Sequence, residues 1–362
     1  MSIKETLKPY LKDTLLWRVL RMVKSCLGTV RAYMMIFTAF CLGWCSYGKM
    51  KAYFREYNRV KRIKAINTCG KSLAINDYNG KRIIARDEAN KIIGDAIEAG
   101  KPFMAGRYGS VELGATWIAR DDGKGFMYPY RKQLAALCSN AGFFPEDKRM
   151  MLKFAEIMRE ATYQVNLMGV WFNLMEEWIL KTYGNNPDYT RLGFLEPLFS
   201  SCPWSAKLEG KKVLVIHPFD KTIQAQYKKR ELLFPGTNIL PEFELITQRA
   251  VQTIACNKDE RFATWFEALD YMFNEAMKKD FDVAIIGCGA YGFPLATKIK
   301  QAGKIAVHMG GSTQILFGIK GKRWEIMGMS DERWKKLLDN PAWVRPEEKP
   351  EGFKTIENGC YW

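Results

Sequence analysis

Histidine is scarce, with two residues in a chain of 362. His217 and His308 lie far apart and no H-E-x-x-H pattern occurs, which excludes the usual histidine-built zinc hydrolase. No C-x-x-C pair occurs among the nine cysteines. Their odd number and apolar neighbours, as at Leu137-Cys138 and Ile286-Gly287-Cys288, exclude a disulfide framework and a cysteine zinc site, and read instead as free thiols in a reducing compartment. Neither G-x-S-x-G nor G-x-x-x-x-G-K-[ST] is present, so the hydrolase elbow and the P-loop are missing too. The mean hydropathy of -0.24 excludes a protein of many membrane spans. Internal repeats and low-complexity tracts are absent.

What is present is an ordinary globular balance, 48% apolar and 26% charged, long enough to bury a sizeable core. The unusual quantity is a net charge of +16. Residues 1–65 hold 14 basic and 3 acidic side chains, a net of +11; the other 297 residues, with 41 and 36, add only +5. A nucleic-acid binder carries its basic footprint on the folded domain, so this segregation speaks against one.

Within that N-terminal segment, Leu15, Leu16, Val19, Leu20, Val23 and Leu27 recur at helical spacing among Lys12, Arg18, Arg21 and Lys24. This is the pattern of a basic amphipathic helix suited to an anionic membrane surface. Residues 32–48 then form an uncharged run of 17, at the lower edge of a span and broken by Thr38, Ser46 and two glycines. Surface attachment, packing on the protein's own core and a true span are the three readings. Peripheral attachment from the cytoplasmic side is the expectation, given positive charge on both flanks.

Beyond about residue 65, short apolar runs alternate with helical patterns. Strands are expected at 102–106, 164–170, 212–217, 243–246, 283–287 and 304–308. Helices are expected at 86–99, 110–119, 146–161, 261–279 and 294–302. Such alternation predicts an α/β domain, a Rossmann-like, largely parallel sheet flanked by helices, over 66–340. Residues 341–362, with three prolines, read as an ordered tail or extended arm.

Three constellations bear chemistry. After an apolar run at 282–286, Gly287, Gly289 and Gly292 fit G-x-G-x-x-G, and a second run, 304–308, leads into Gly310-Gly311. A phosphate or nucleotide-sugar cradle, a dinucleotide site and a turn tightened for packing all fit these glycines. No carboxylate follows the second run, although a dinucleotide site would place one there for the ribose. Lys320, Lys322 and Arg323 supply nearby charge for a diphosphate, or a solvated basic loop. Secondly, both histidines end predicted strands, where α/β folds bind ligands, and Asp220 follows His217 as a candidate base or orienting carboxylate. Thirdly, Arg107-Tyr-Gly109-Ser110-Val-Glu112 sits between a strand and a helix. Ser110 there suits a helix cap and Glu112 the positive helix end, or Arg107 meets a phosphate while Glu112 holds Mn2+ or Mg2+.

The stretch Arg107-Tyr-Gly-Ser-Val-Glu112 resembles the Arg-Phe-Gly-Asp-x-Glu motif of GT-D-type glycosyltransferases. Lys212-Val-Leu-Val-Ile-His-Pro-Phe-Asp220, the run from Ile285 to Trp324 and the closing Glu357-Asn-Gly-Cys-Tyr-Trp362 are similar to bacterial polysaccharide-biosynthesis proteins with that domain. The resemblance covers roughly 85–362 and implies a transferase moving a sugar from a nucleotide diphosphate donor, a UDP-sugar foremost, to a lipid-linked or glycan acceptor. Together with the glycine turns and basic residues above, the donor site is expected from Arg107, Gly109, Ser110, Gly287, Gly289, Gly292, His308, Gly310, Gly311, Lys322 and Arg323, with Glu112 a catalytic candidate. The resemblance also implies a divalent metal at Glu112. Asp220 or His217 is the expected base. Ser110 stands where the family motif has its first carboxylate, which puts metal dependence in question. The rival readings are an NAD(P)-dependent sugar-modifying oxidoreductase and a membrane-associated scaffold with a degenerate donor site.

Overall fold

The computed structural model describes residues 15–41, 50, 54, 76–119, 130–173 and 176–362. Helix α1 (Leu15–Cys41) is followed by strands β1 (Asp77–Tyr78) and β2 (Lys81–Ile84). The first half of the domain continues with α2 (Arg86–Ala99), β3 (Phe103–Gly106), α3 (Ser110–Ala119), α4 (Tyr130–Ala141), α5 (Lys148–Gln164), β4 (Leu167–Val170), α6 (Glu176–Tyr183) and β5 (Asp188–Arg191). The second half holds β6 (Lys212–His217), α7 (Asp220–Tyr227), α8 (Arg230–Leu233), β7 (Glu244–Arg249), α9 (Trp265–Met277), β8 (Val283–Ile286), α10 (Gly292–Gln301), β9 (Ile305–His308), α11 (Thr313–Leu316), α12 (Lys322–Gly328) and α13 (Glu332–Leu338).

The strands form one sheet in the order β1-β2-β5-β4-β3-β9-β8-β6-β7, antiparallel only between β1 and β2. Helical crossovers impose the parallel pairing, since strands running the same way need a long return connection. Alternate residues of a central strand feed two cores. Leu214 and Ile216 of β6 join one with Trp117, Phe154, Trp265 and Leu295, while Val213 and Val215 join the other with Ile93, Ile223, Phe317 and Trp334. A strand buried on both faces therefore reads as a continuous apolar run, which is why β6, β8 and β9 are visible in the sequence.

Several boundaries differ from expectation. Gln164 closes helix α5 and does not open β4. β7 starts at Glu244 and continues past Ile246 to Arg249, because Thr247, Gln248 and Arg249 pair with Val215, Ile216 and His217 of β6. The expected helix at 146–161 starts two residues later, since Asp147 is its N-cap and its side chain accepts from Met150 N–H at 2.9 Å. Asp147→Ala should cost about 1 kcal/mol in urea unfolding, the usual worth of such a cap. Trp343, Ile356 and Trp362 of the 341–362 segment are buried in the second core.

Helix α1 joins the expected amphipathic stretch to the first ten residues of the uncharged run. Its Val23, Leu27, Val30, Met34 and Phe37 are exposed, whereas Phe40 leans on the first core with Met50 and Phe54. No described helix is long and apolar enough to cross a membrane. The remainder of the 1–65 expectation, including residues 1–14 and 42–49, lies outside the described residues.

Candidate active site

Connections leave β6 and β8 in opposite directions, toward β7 and β9, while β3 leads away from β9 to β4. At such partings the strand ends are uncovered and a crevice opens at their carboxyl side. Here it is a cavity of about 600 Å3 lined by Arg107 after β3, His217 at the end of β6, Gly287 after β8 and His308 at the end of β9. Gly109, Ser110, Glu112, Gly289, Gly310, Gly311 and Arg323 also line it. Asp220, Gly292 and Lys322 are not among its walls. Asp220 begins α7 with a carboxyl oxygen 4.0 Å from Arg249 Nε, and Lys322 Nζ points to the Asn358 carbonyl oxygen at 3.5 Å.

The glycine pattern has specific spatial causes. A Cβ on Gly287 would lie 2.6 Å from the Gly310 carbonyl oxygen and 2.7 Å from both His217 Cδ2 and Thr313 Oγ1. One on Gly292 would meet His308 Cε1 at 2.2 Å, so this glycine makes room for an imidazole. Gly289 and Gly310 have φ of +59°, open at little cost only to glycine.

Both histidines are buried and neutral, with burial lowering each to about 3. Phe219 N–H donates to His217 Nδ1 at 3.0 Å, so the neutral ring carries its proton on Nε2 and acts as a donor. His308 Nδ1 lies 3.2 Å from the Ile286 carbonyl oxygen, which only accepts, leaving Nε2 of that ring as an acceptor.

Arg107 lies between Gly310 and Trp171. A Cβ on Gly310 would come 3.3 Å from its NH1, and its Cζ is 5.3 Å from the Trp171 ring centre. Its Nε is buried without a hydrogen-bond partner among the described residues. Glu112, in the first turn of α3, folds over Gly109, where an added Cβ would meet its Oε2 at 1.9 Å. Burial raises the Glu112 carboxyl against the opposing pull of Arg107, and the charge of Glu357 adds to the rise. Ser110 is the first helical residue, not the cap before it, since Leu113 N–H already bonds the Gly109 carbonyl oxygen. Among the described residues no three His, Cys, Asp or Glu side chains gather as a metal site. Arg323 pairs with Glu357 and stacks 4.6 Å from the Tyr361 ring centre.

Several wall residues escaped the sequence reading. Glu196, on the loop after β5, accepts from Ser312 Oγ at 2.6 Å and faces Arg86 and Arg107. Burial raises its carboxyl to about 7. Arg86 donates to the carbonyl oxygens of Gly193 at 2.9 Å and Leu198 at 2.8 Å, fixing that loop. Aromatic surface comes from Trp171, Trp324, Trp334 and Trp362, with Phe199, Phe219 and Tyr361. No local motif marks Glu196 or Arg86; only tertiary placement does.

Trp171 is itself held by a buried carboxylate. Glu176 Oε2 accepts from the backbone N–H of Trp171 at 3.3 Å and of Asn173 at 3.1 Å. Burial raises Glu176 from 4.5 to about 7, so the folded protein holds that proton more tightly than the unfolded chain. Its contribution to stability therefore falls as pH rises between those values. Glu176→Gln removes this decline, and urea unfolding at about pH 5 and about pH 8 should show the variant gaining on wild type at the higher pH.

No protein-family model matches the chain, and no curated protein does. A solved structure described as "The highly conserved domain of unknown function 1792 has a distinct glycosyltransferase fold" overlays with a TM-score of 0.38 and 10% identity, covering 70% of this chain and 82% of that one. A likeness so slight assigns neither fold nor activity.

Proposed function

We propose that the protein is a glycosyltransferase that moves a sugar from a nucleoside diphosphate donor, a UDP-sugar foremost, to a glycan or lipid-linked acceptor. One observation supports this above others: a buried, unpartnered guanidinium nitrogen of Arg107 at a cavity of about 600 Å3, beside the Gly310-Gly311 turn. A cation with a buried, unpaired N–H among close-approach backbone is suited to a diphosphate, and the surrounding aromatic rings suit a base and a sugar. The cavity volume falls within the range of small-molecule sites.

In this reading Arg107 and the N–H groups of the 309–312 turn hold the leaving diphosphate. His217, a donor through Nε2, stabilises charge as the bond to the sugar breaks. Mn2+ or Mg2+, where one takes part, would be held by Glu112 with phosphate oxygens, because hard cations accept one or two carboxylates plus substrate oxygens. Such an ion would add Lewis-acid stabilisation of the diphosphate; Ser110 brings no charge to it. The basic segment of residues 1–65, with the exposed apolar stripe of α1, would rest on an anionic membrane surface at the cytoplasmic side and keep the cavity near a lipid-linked acceptor.

Calorimetric titration with UDP, other nucleoside diphosphates and NAD+, each with and without Mn2+, tests the reading. Binding of one nucleoside diphosphate is expected. Binding of NAD+ alone would replace the transferase with an oxidoreductase, and binding of none would leave a scaffold.

A further inference from the structure

A sugar transfer needs a group to take the acceptor's proton, and the two residues expected for it are badly placed. Asp220 is outside the cavity wall, and His217 already carries its proton on the nitrogen left free by Phe219. His308 offers an acceptor nitrogen, but burial has removed most of its basicity. Glu112 lies folded over the backbone at the start of its own helix.

We infer that Glu196 is the catalytic base, its carboxylate taking the hydroxyl proton of the acceptor as the sugar is transferred; this rests on the transferase reading above. In the step, the acceptor oxygen forms a bond to the anomeric carbon and the bond from that carbon to the diphosphate breaks. The leaving diphosphate keeps the bonding electrons, and the hydroxyl proton passes to Glu196.

Geometry carries the assignment. Glu196 lines the cavity, and Ser312 Oγ fixes its Oε1 at 2.6 Å, leaving Oε2 to meet a hydroxyl. Ser312 directly follows the Gly310-Gly311 turn assigned above to the diphosphate, so the base and the leaving group share one short segment. The charged groups facing Glu196 are Arg86 from α2 and Arg107 from the loop after β3, both of which favour its ionised form. Neither forms an ion pair with it among the described residues, because Arg86 is spent on two backbone carbonyls and Arg107 lies against Gly310. The carboxylate is thus positioned without being locked. Its burial leaves it titrating at about 7, the range in which a general base is most effective.

The test uses the full chain and a panel of UDP-hexoses, reading UDP release to water together with UDP binding. Glu196→Gln should keep UDP affinity within about threefold, yet slow release about a hundred- to ten-thousandfold, with the rise in rate near neutral pH abolished. Glu196→Asp should recover part of the rate. Ser312→Ala, which removes the bond that lowers this carboxyl, should move the midpoint of the pH profile upward. Wild-type turnover in Glu196→Gln, loss of UDP affinity in step with turnover, or an unmoved midpoint in Ser312→Ala would overturn the assignment and leave the transferase intact. A wild-type protein that neither binds UDP nor cleaves any of the sugars removes the transferase reading, and this assignment with it.

Discussion

Arg107→Ala should weaken binding of a nucleoside diphosphate about a hundredfold while leaving stability nearly unchanged. Hydrogen bonds to a charged group are worth about 1.5–3 kcal/mol each, and two to a diphosphate, at roughly 3 kcal/mol together, give two decades of affinity. The fold loses little in exchange, because Arg107 Nε has no partner to abandon and the contact with Trp171 is a single cation–π pair. That pair is worth about 1 kcal/mol at most in a partly exposed setting. Calorimetry with UDP beside a thermal melt separates the two effects. A large fall in melting temperature with unchanged affinity would mean that Arg107 is a structural residue and the diphosphate lies elsewhere.

Gly287→Ala should do the opposite, unfolding the protein more readily by about 3 kcal/mol. The added methyl group would sit 2.6 Å from the Gly310 carbonyl oxygen and 2.7 Å from His217 and Thr313. One of these is backbone and the others are buried, so the strain passes into the ends of β6, β8 and β9 together. For a domain of this size the melting temperature should drop by roughly 5 °C. Gly210→Ala is the control: its φ is +69° but nothing lies within 4 Å, so only backbone strain of about 1–2 kcal/mol applies. Equal losses in the two variants would show that the close packing at Gly287 carries no particular weight.

Helices Arg86–Ala99 and Ser110–Ala119 and strand Lys212–His217 occupy the residues expected of them. In α2 the buried Ala89, Ile93 and Ile97 repeat every four residues, and β6 is apolar from Val213 to Ile216, so local pattern and tertiary burial agree. Strands β2 and β5 escape the apolar pattern because β2 has only Ile83 and Ile84, and β5 is mostly polar. Asp188-Tyr-Thr-Arg191 becomes a strand through its pairing with β2 and β4, and Thr190 is buried there with its hydroxyl donating to the Ile84 carbonyl oxygen. Helix α6 was missed for a related reason, since its eight residues are too few to show a period.

Local pattern along the chain carries the α/β architecture, the parallel pairing forced by alternating strands and helices, and the delivery of Arg107, His217, Gly287 and His308 to strand ends. These follow from short-range periodicity and from the rule that a crossover returns each strand in the same direction. Only tertiary packing brings Glu196 to the cavity wall beside Ser312. Glu196 and Ser312 stand 116 residues apart and meet only because β5 and β9 end at the same side of the sheet. The proton affinity of Glu196 depends on water lost around it and on Arg86 and Arg107 nearby, quantities created by burial and written in no local pattern.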